Sequence, residues 1–201
     1  IFAAQVKTFM LQDNGIQPQD LVFAVTEGGE TSAVIGTALA AADQAGVDAR
    51  RTWFVYNNPD DVLRPFERSR RVLDDARITK VPLPTGPQAI TGSTRMQATT
   101  TSLYVLGVVL EDATRTLLRD ALTADELSAL GFGEASIADR LRGFTTLQQT
   151  AAAAAPKLAA WTNREAASYA GGHRSTYLAT RALMPVFVDV TERAPTFRLG
   201  P

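Results

Sequence analysis

The spacing of apolar and polar positions divides this chain into two regions of different character. Leu21-Val22-Phe23-Ala24-Val25 is an uninterrupted apolar run bounded by Asp20 and by Glu27-Gly28-Gly29. Such a run reads as a short strand buried on both faces. An alanine-rich helix is predicted over 31–45, ended by Gly46, and a second strand, Thr52-Trp53-Phe54-Val55-Tyr56, stops at Asn57-Asn58-Pro59. A charged helix over roughly 65–74 leads to a third strand over 78–83. Gly86, Pro87 and Gly92 then open a loop, Ser93 or Thr91 caps the next helix, and apolar periodicity runs from Met96 to Leu118. Alternating strands and helices predict an α/β fold with a doubly wound parallel sheet and right-handed crossovers.

Beyond about residue 121 the strand signals give way to helical ones. Thr123-Ala124-Asp125-Glu126 has the form of a capping box, and Gly131-Phe132-Gly133 ends the helix it starts. The stretch 135–169 is helix-prone, with a break at Pro156, and its alanine run 151–155 suits a closely packed helix. Gly171-Gly172 marks a turn, and two β-like segments follow at 176–179 and 186–190. At the other end, 6–11 reads as the close of a helix. Three strands are few for a parallel sheet, so its edges call for further pairing, and the two late segments suit the start of a second sheet.

Composition narrows the function classes. A formal net charge of -1 over 201 residues gives no reason to expect a nucleic-acid or membrane partner. With no cysteine there is no disulfide framework, thiolate metal site or cysteine nucleophile, which fits a cytoplasmic protein. No apolar run is long enough to span a membrane as a helix. The chain begins Ile1-Phe2-Ala3-Ala4 rather than with Met, which reads as a piece of a longer polypeptide. Neither a metal nor a cofactor site is suggested by the residue pattern, and the nucleotide fingerprints with Gly-x-Gly-x-x-Gly or Gly-Lys-Ser/Thr are absent.

Two turns carry candidate chemistry. Glu27-Gly28-Gly29-Glu30-Thr31-Ser32 lies at the carboxyl end of the first strand and opens a helix, the place where open α/β sheets bind ligands. Gly28 and Gly29 let the backbone approach an anion, and Thr31 and Ser32 add hydroxyl donors. Glu27 and Glu30 have the wrong sign for that task; either pairs with Arg95 or acts on substrate hydroxyls. At the second turn, Ser93, Thr94 and Arg95 bring two hydroxyls and a guanidinium to free helix N–H groups, a set suited to phosphate. A solvated Arg95 on a well-capped helix is the plain alternative.

Together these motifs resemble those of the sugar isomerase (SIS) fold. Glu27-Gly28-Gly29-Glu30-Thr31-Ser32 is similar to its Ser-Gly-x-Thr phosphate loop. The stretch from Gly86-Pro87-Gln88 to Gly92-Ser93-Thr94-Arg95-Met96 resembles the Gly-Pro-Glu…Gly-Ser-Thr-Arg-Met/Leu-Lys-Ala motif of the branch containing N-acetylmuramic acid 6-phosphate etherase and glucokinase regulatory protein. Asn57-Asn58-Pro59 resembles that branch's Cys-Asn-Pro. The likeness covers about residues 20–112. The tail Val190-Thr191-Glu192-Arg193-Ala194-Pro195-Thr196-Phe197 is similar to a segment in the second half of bacterial tandem-SIS relatives.

The resemblance implies a three-layer α/β/α sandwich, Rossmann-like, over 1–120. It implies a helical extension over 121–201 leading into a second SIS-like module. It implies a sugar phosphate held by Gly28, Gly29, Thr31, Ser32, Ser93, Thr94 and Arg95, and a partner module in the same chain or in a homodimer. That partner would cover apolar surface on the helices after Thr31 and Gly92. The departures count against etherase chemistry, which needs an acid and a base. The family's loop serine is Gly28 here, its helix glutamate is Leu39, and neither its first strand nor its other glutamate is found in 1–20. Two functions remain open: a phosphosugar-binding and regulatory module, or an aldose–ketose isomerase using Glu27, Glu30 or Glu111. A purely structural oligomerisation domain is the third reading.

The remaining candidates are weaker. His173, the single histidine, sits in a polar turn and would serve ring opening or simply be solvated. Asp189, Glu192 and Arg193 read as a solvated cluster. Trp53 and Trp161 are expected to be core or helix-packing residues.

Overall fold

Three short strands, β1 (Val22–Thr26), β2 (Thr52–Tyr56) and β3 (Thr79–Pro82), form a parallel sheet in the order β1-β2-β3. Ala24 lies beside Phe54 and Val25 beside Val55, while Phe54 lies beside Lys80. The computed structural model describes residues 16, 17, 19–45, 50–88 and 95–176. The segments expected at 6–11 and 186–190, the end of that at 176–179, and Gly46, Thr91, Gly92, Ser93, Thr94, Asp189, Glu192 and Arg193 lie outside these residues. The helices are α1 (Ser32–Ala45), α2 (Asp60–Leu63), α3 (Glu67–Leu73), α4 (Thr100–Leu118), α5 (Ala124–Ala129), α6 (Ile137–Ala153) and α7 (Ala155–Ala170). A π-helical turn, Arg95–Thr99, precedes α4. The fold is therefore α/β with a helical C-terminal part. No helix among the described residues is long and apolar enough to cross a membrane.

The chain divides into two compact units, Ile1–Gly107 and Val108–Pro201, and the division falls within α4. In the first unit, α1, α2 and α3 enclose a core with one face of the sheet. Ile35, Ala38 and Ala42 of α1 meet Ala24, Phe54 and Tyr56 of the strands, with Leu63, Val72 and Leu73 from α2 and α3. Small alanines let the helix sit close to the two aromatic rings, whose centroids are 5.1 Å apart. Burying Phe54 completely contributes about 1.5–3 kcal/mol.

The opposite face differs from the expectation of a strand buried on both sides. Phe23 and Val25 remain 38% and 37% exposed, and Leu21 before them is 61% exposed. Phe23 instead stacks on Trp53 at 5.9 Å, and Trp53 Nε1 donates to the Arg50 carbonyl at 2.8 Å. An apolar run looks the same whether or not a second layer covers it.

Three further boundaries moved. The expected helix at 65–74 is α3, shortened at its start because Phe66 is extended (φ -88°, ψ 121°), and the short helix α2 before Pro65 was not foreseen. The helix expected from Met96 begins with a π turn and becomes α-helical only at Thr100. β3 is shorter than foreseen, although the Leu83 N–H still reaches the Tyr56 carbonyl at 2.7 Å.

The second unit follows its capping signals closely. Thr123 accepts from the Glu126 N–H, and the Glu126 carboxylate accepts from the Thr123 N–H at 2.8 Å, completing the box. Gly131 (φ +93°) closes α5 by a Schellman motif, with Phe132 N–H on the Leu127 carbonyl and Gly131 N–H on that of Ser128. Gly172 (φ +78°) closes α7 in the same way, through His173 N–H to Ser168 and Gly172 N–H to Tyr169. Pro156 falls in the first turn of α7, where its missing N–H costs nothing, and Ala154 alone joins α6 to α7.

Candidate functional site

The carboxyl ends of β1 and β2 and the start of α1 bring two of the sequence motifs together, and residues that follow the third reach the same place. Asn57 and Asn58 follow β2, and both reach the turn after β1. The Asn57 N–H donates to the Glu27 carbonyl at 3.0 Å, and Asn58 Nδ2 donates to the Gly28 carbonyl at 2.9 Å. The residues after the third motif join through the end of the π turn and α4. Thr99 Oγ1 donates to Glu27 Oε1 at 2.6 Å, and Ser102 Oγ donates to Asn57 Oδ1 at 3.1 Å. Asn57 is buried and also donates from Nδ2 to the Leu83 carbonyl at 2.9 Å. Its amide thus ties β2, the segment after β3 and α4 into one framework.

The turn itself is set by glycine and by its carbonyl partners. Gly29 has φ +79°, and a Cβ there would come within 2.5 Å of Leu63 Cδ1. Its carbonyl accepts from Ser69 Oγ of α3 at 2.9 Å, a fully buried bond. In a trans peptide the carbonyl and the following N–H point in opposite directions. With the Gly28 and Gly29 carbonyls held by Asn58 and Ser69, the N–H groups of Gly29 and Glu30 are directed away from those partners. The first intrahelical bond runs from Ile35 N–H to the Thr31 carbonyl, so the N–H groups of the opening turn of α1 precede the ladder. The hydroxyls of Thr26 and Thr31 meet at 2.9 Å, fixing strand end to helix start.

Gly28 has open space where a Cβ would project. The serine of the resembled loop would fit there without displacing a neighbour. Thr31 and Ser32 are exposed, and Glu27, Gly28 and Glu30 half-buried. Neither carboxylate of the turn stands free: Glu27 accepts from Thr99, and Glu30 lies 3.9 Å from Arg68 Nη2. Arg68 also donates from Nη1 to Ser32 Oγ. Ser93 and Thr94 lie outside the described residues, and Arg95 is described as the first residue of the π turn.

Below the turn, the buried Tyr56 hydroxyl donates to Asp60 Oδ1 at 2.6 Å. Burial first, and then that hydrogen bond, push the phenol pKa well above its ordinary value. The ring is therefore a neutral structural support. Leu39 is partly buried and packs against the core.

Other candidates lie elsewhere. Glu111 pairs with Arg140 Nη1 at 2.6 Å in the second unit. His173 is exposed in that same unit and stays close to Gly171, where an added Cβ would meet its Cδ2 at 3.3 Å. Its N–H completes the α7 cap. Trp161 corrects the expectation of a packed ring: it is 61% exposed, with Lys157 Nζ 5.3 Å from its centroid. Among the described residues no cluster of His, Asp and Glu could hold a metal ion.

Sequence reasoning did not single out Thr99, Ser102, Arg68 or Ser69. No family model, curated protein or solved structure matches the chain.

Proposed function

We propose that the chain is a SIS module that binds a sugar phosphate at the turn between β1 and α1, in a regulatory or carrier capacity. The observation that supports this reading is that the first two resembling motifs meet at the strand ends and that the helix following the third bonds to both. Gly28 of the first is bonded to Asn58 of the second, and Glu27 to Thr99 directly after the third. In this reading the phosphate accepts from the N–H groups of Gly29 to Ser32 and from the hydroxyls of Thr31, Ser32, Ser93 and Thr94, with Arg95 nearby. The sheet is the central layer of a three-layer sandwich, and the protein works in the cytoplasm without cofactor or metal.

The exposed side of β1 supports a second SIS module, in the same chain or a homodimer, that completes the sheet and its layers. Leu103, Leu110 and Leu117 of α4 are also more than half exposed and recur at heptad spacing. On α1, Ile35, Ala38 and Ala42 are already buried against its own sheet.

Titration calorimetry with glucose 6-phosphate and fructose 6-phosphate, against glucose and fructose, tests the reading. Heat with the esters and none with the parent sugars is expected; no heat with either ester at millimolar concentration contradicts it. The isomerase alternative draws on Glu27, held at the strand end by Thr99, as a proton shuttle between adjacent sugar carbons. It requires solvent deuterium to enter the sugar phosphate, whereas a binding module leaves the sugar unlabelled.

A further inference from the structure

We infer that Arg68, which belongs to none of the motifs, makes the β1–α1 turn selective for a phosphorylated ligand, and that Glu30 holds it until that ligand arrives. The inference rests on the phosphosugar reading and deepens it. The turn presents two carboxylates within four residues, Glu27 and Glu30, and these repel a phosphate dianion. Glu27 accepts from the Thr99 hydroxyl. Arg68 is a cation in contact with the turn: Nη1 donates to Ser32 Oγ, and Nη2 lies 3.9 Å from Glu30 Oε1.

Arg68 is placed by its neighbour. Ser69 is completely buried and donates to the Gly29 carbonyl, so α3 is fastened to the turn one residue away and the Arg68 backbone is held beside it. Ser32 Oγ accepts from Arg68, so its own proton is left to point elsewhere. A guanidinium has five N–H groups in a planar fork that matches two phosphate oxygens. Ser32 and Glu30 use part of that capacity.

The pair is built to be exchanged. The side chains of Arg68 and Glu30 are 59% and 37% exposed, and at 3.9 Å they form the kind of surface ion pair that contributes little to stability. A doubly charged phosphate in front of Ser32 outcompetes the single carboxylate for the fork. A neutral sugar hydroxyl does not, so the pair discriminates by charge.

The test is an amide chemical-shift titration of the full chain with glucose 6-phosphate and with glucose. Wild type is expected to shift at residues 29–32 with the ester only. Arg68→Gln is expected to weaken ester binding about tenfold or more, Arg68→Lys to recover part of it, and Glu30→Gln to tighten it severalfold. Undiminished affinity in Arg68→Gln overturns the inference while leaving the phosphosugar site standing. Weaker binding in Glu30→Gln overturns the holding role of Glu30. A wild-type protein that shows no shift at the turn overturns the site and the inference together.

Discussion

α1 and α7 are both alanine-rich helices of similar length, 14 and 16 residues, yet they meet opposite surroundings. In α1, Ile35, Ala38, Ala40, Ala41 and Ala42 are all nearly inaccessible. In α7 no residue is buried, and Leu158 and Trp161 are 48% and 61% exposed. The sheet accounts for the difference, because Phe54 and Tyr56 offer α1 a broad apolar floor. α7 relies on its Schellman cap, on the Tyr169 hydroxyl donating to Glu165 at 2.8 Å and on Thr162 donating back to the Leu158 carbonyl. Helix propensity is shared by the two; tertiary burial belongs to α1. Short helices draw most of their stability from such burial, so the first unit is expected to resist denaturant and α6–α7 to open more readily.

The sharpest way to break this contrast is to hollow out the floor. Phe54→Ala removes a fully buried ring and is expected to cost about 3–5 kcal/mol, read from urea unfolding followed by Trp53 emission in a Trp161→Phe background. Loss of only a few tenths would mean that the core is not where the sheet meets α1. Next comes Gly29→Ala, which forces a side chain to φ +79° against Leu63. A cost of about 1–3 kcal/mol is expected, with sugar-phosphate binding impaired as well.

A smaller effect concerns acid stability. Hydrogen bonds from the Arg77 side chain, which also bonds Asp43 of α1 at 2.8 Å, hold the Asp75 carboxyl below its ordinary value. A lowered folded pKa stabilises the protein above the unfolded value near 3.8, and that contribution is lost as pH falls through the folded one. Asp75→Asn should therefore be less stable at neutral pH and lose less on acidification below pH about 4. The smallest change is expected from Trp161→Ala, within about 0.5 kcal/mol. A loss of 2 kcal/mol or more there would show that the exposed ring is covered in solution, and the contrast between the helices would collapse.

Much of the fold could be read in advance because its signals are local. β1, β2 and β3 follow runs of β-branched and aromatic residues, and the Thr123–Glu126 box and the stops at Gly131 and Gly172 are set by cap chemistry within one turn. What could not be read depends on residues far apart in sequence. The exposed side of Phe23 and Val25 depends on whether a second layer exists, and periodicity is silent on that. The π turn before Thr100 leaves no mark in an apolar pattern that suits an α-helix. At the candidate site, Glu27 to Ser32 and Asn57-Asn58 were visible as loops at strand ends. The bonds that join them, from Asn58 to Gly28 and from Thr99 to Glu27, span 30 and 72 positions. Arg68 was hidden for the same reason: its partner Ser32 lies 36 positions away.

The central claim is that a sugar phosphate is held where these strand ends meet α1. Crystals of the chain soaked with glucose 6-phosphate test it most directly. The account predicts phosphate density against the N–H groups of Gly29 to Ser32, with the hydroxyls of Ser93 and Thr94 closing on it. Phosphate bound elsewhere, with this crevice empty at saturating ligand, would contradict it.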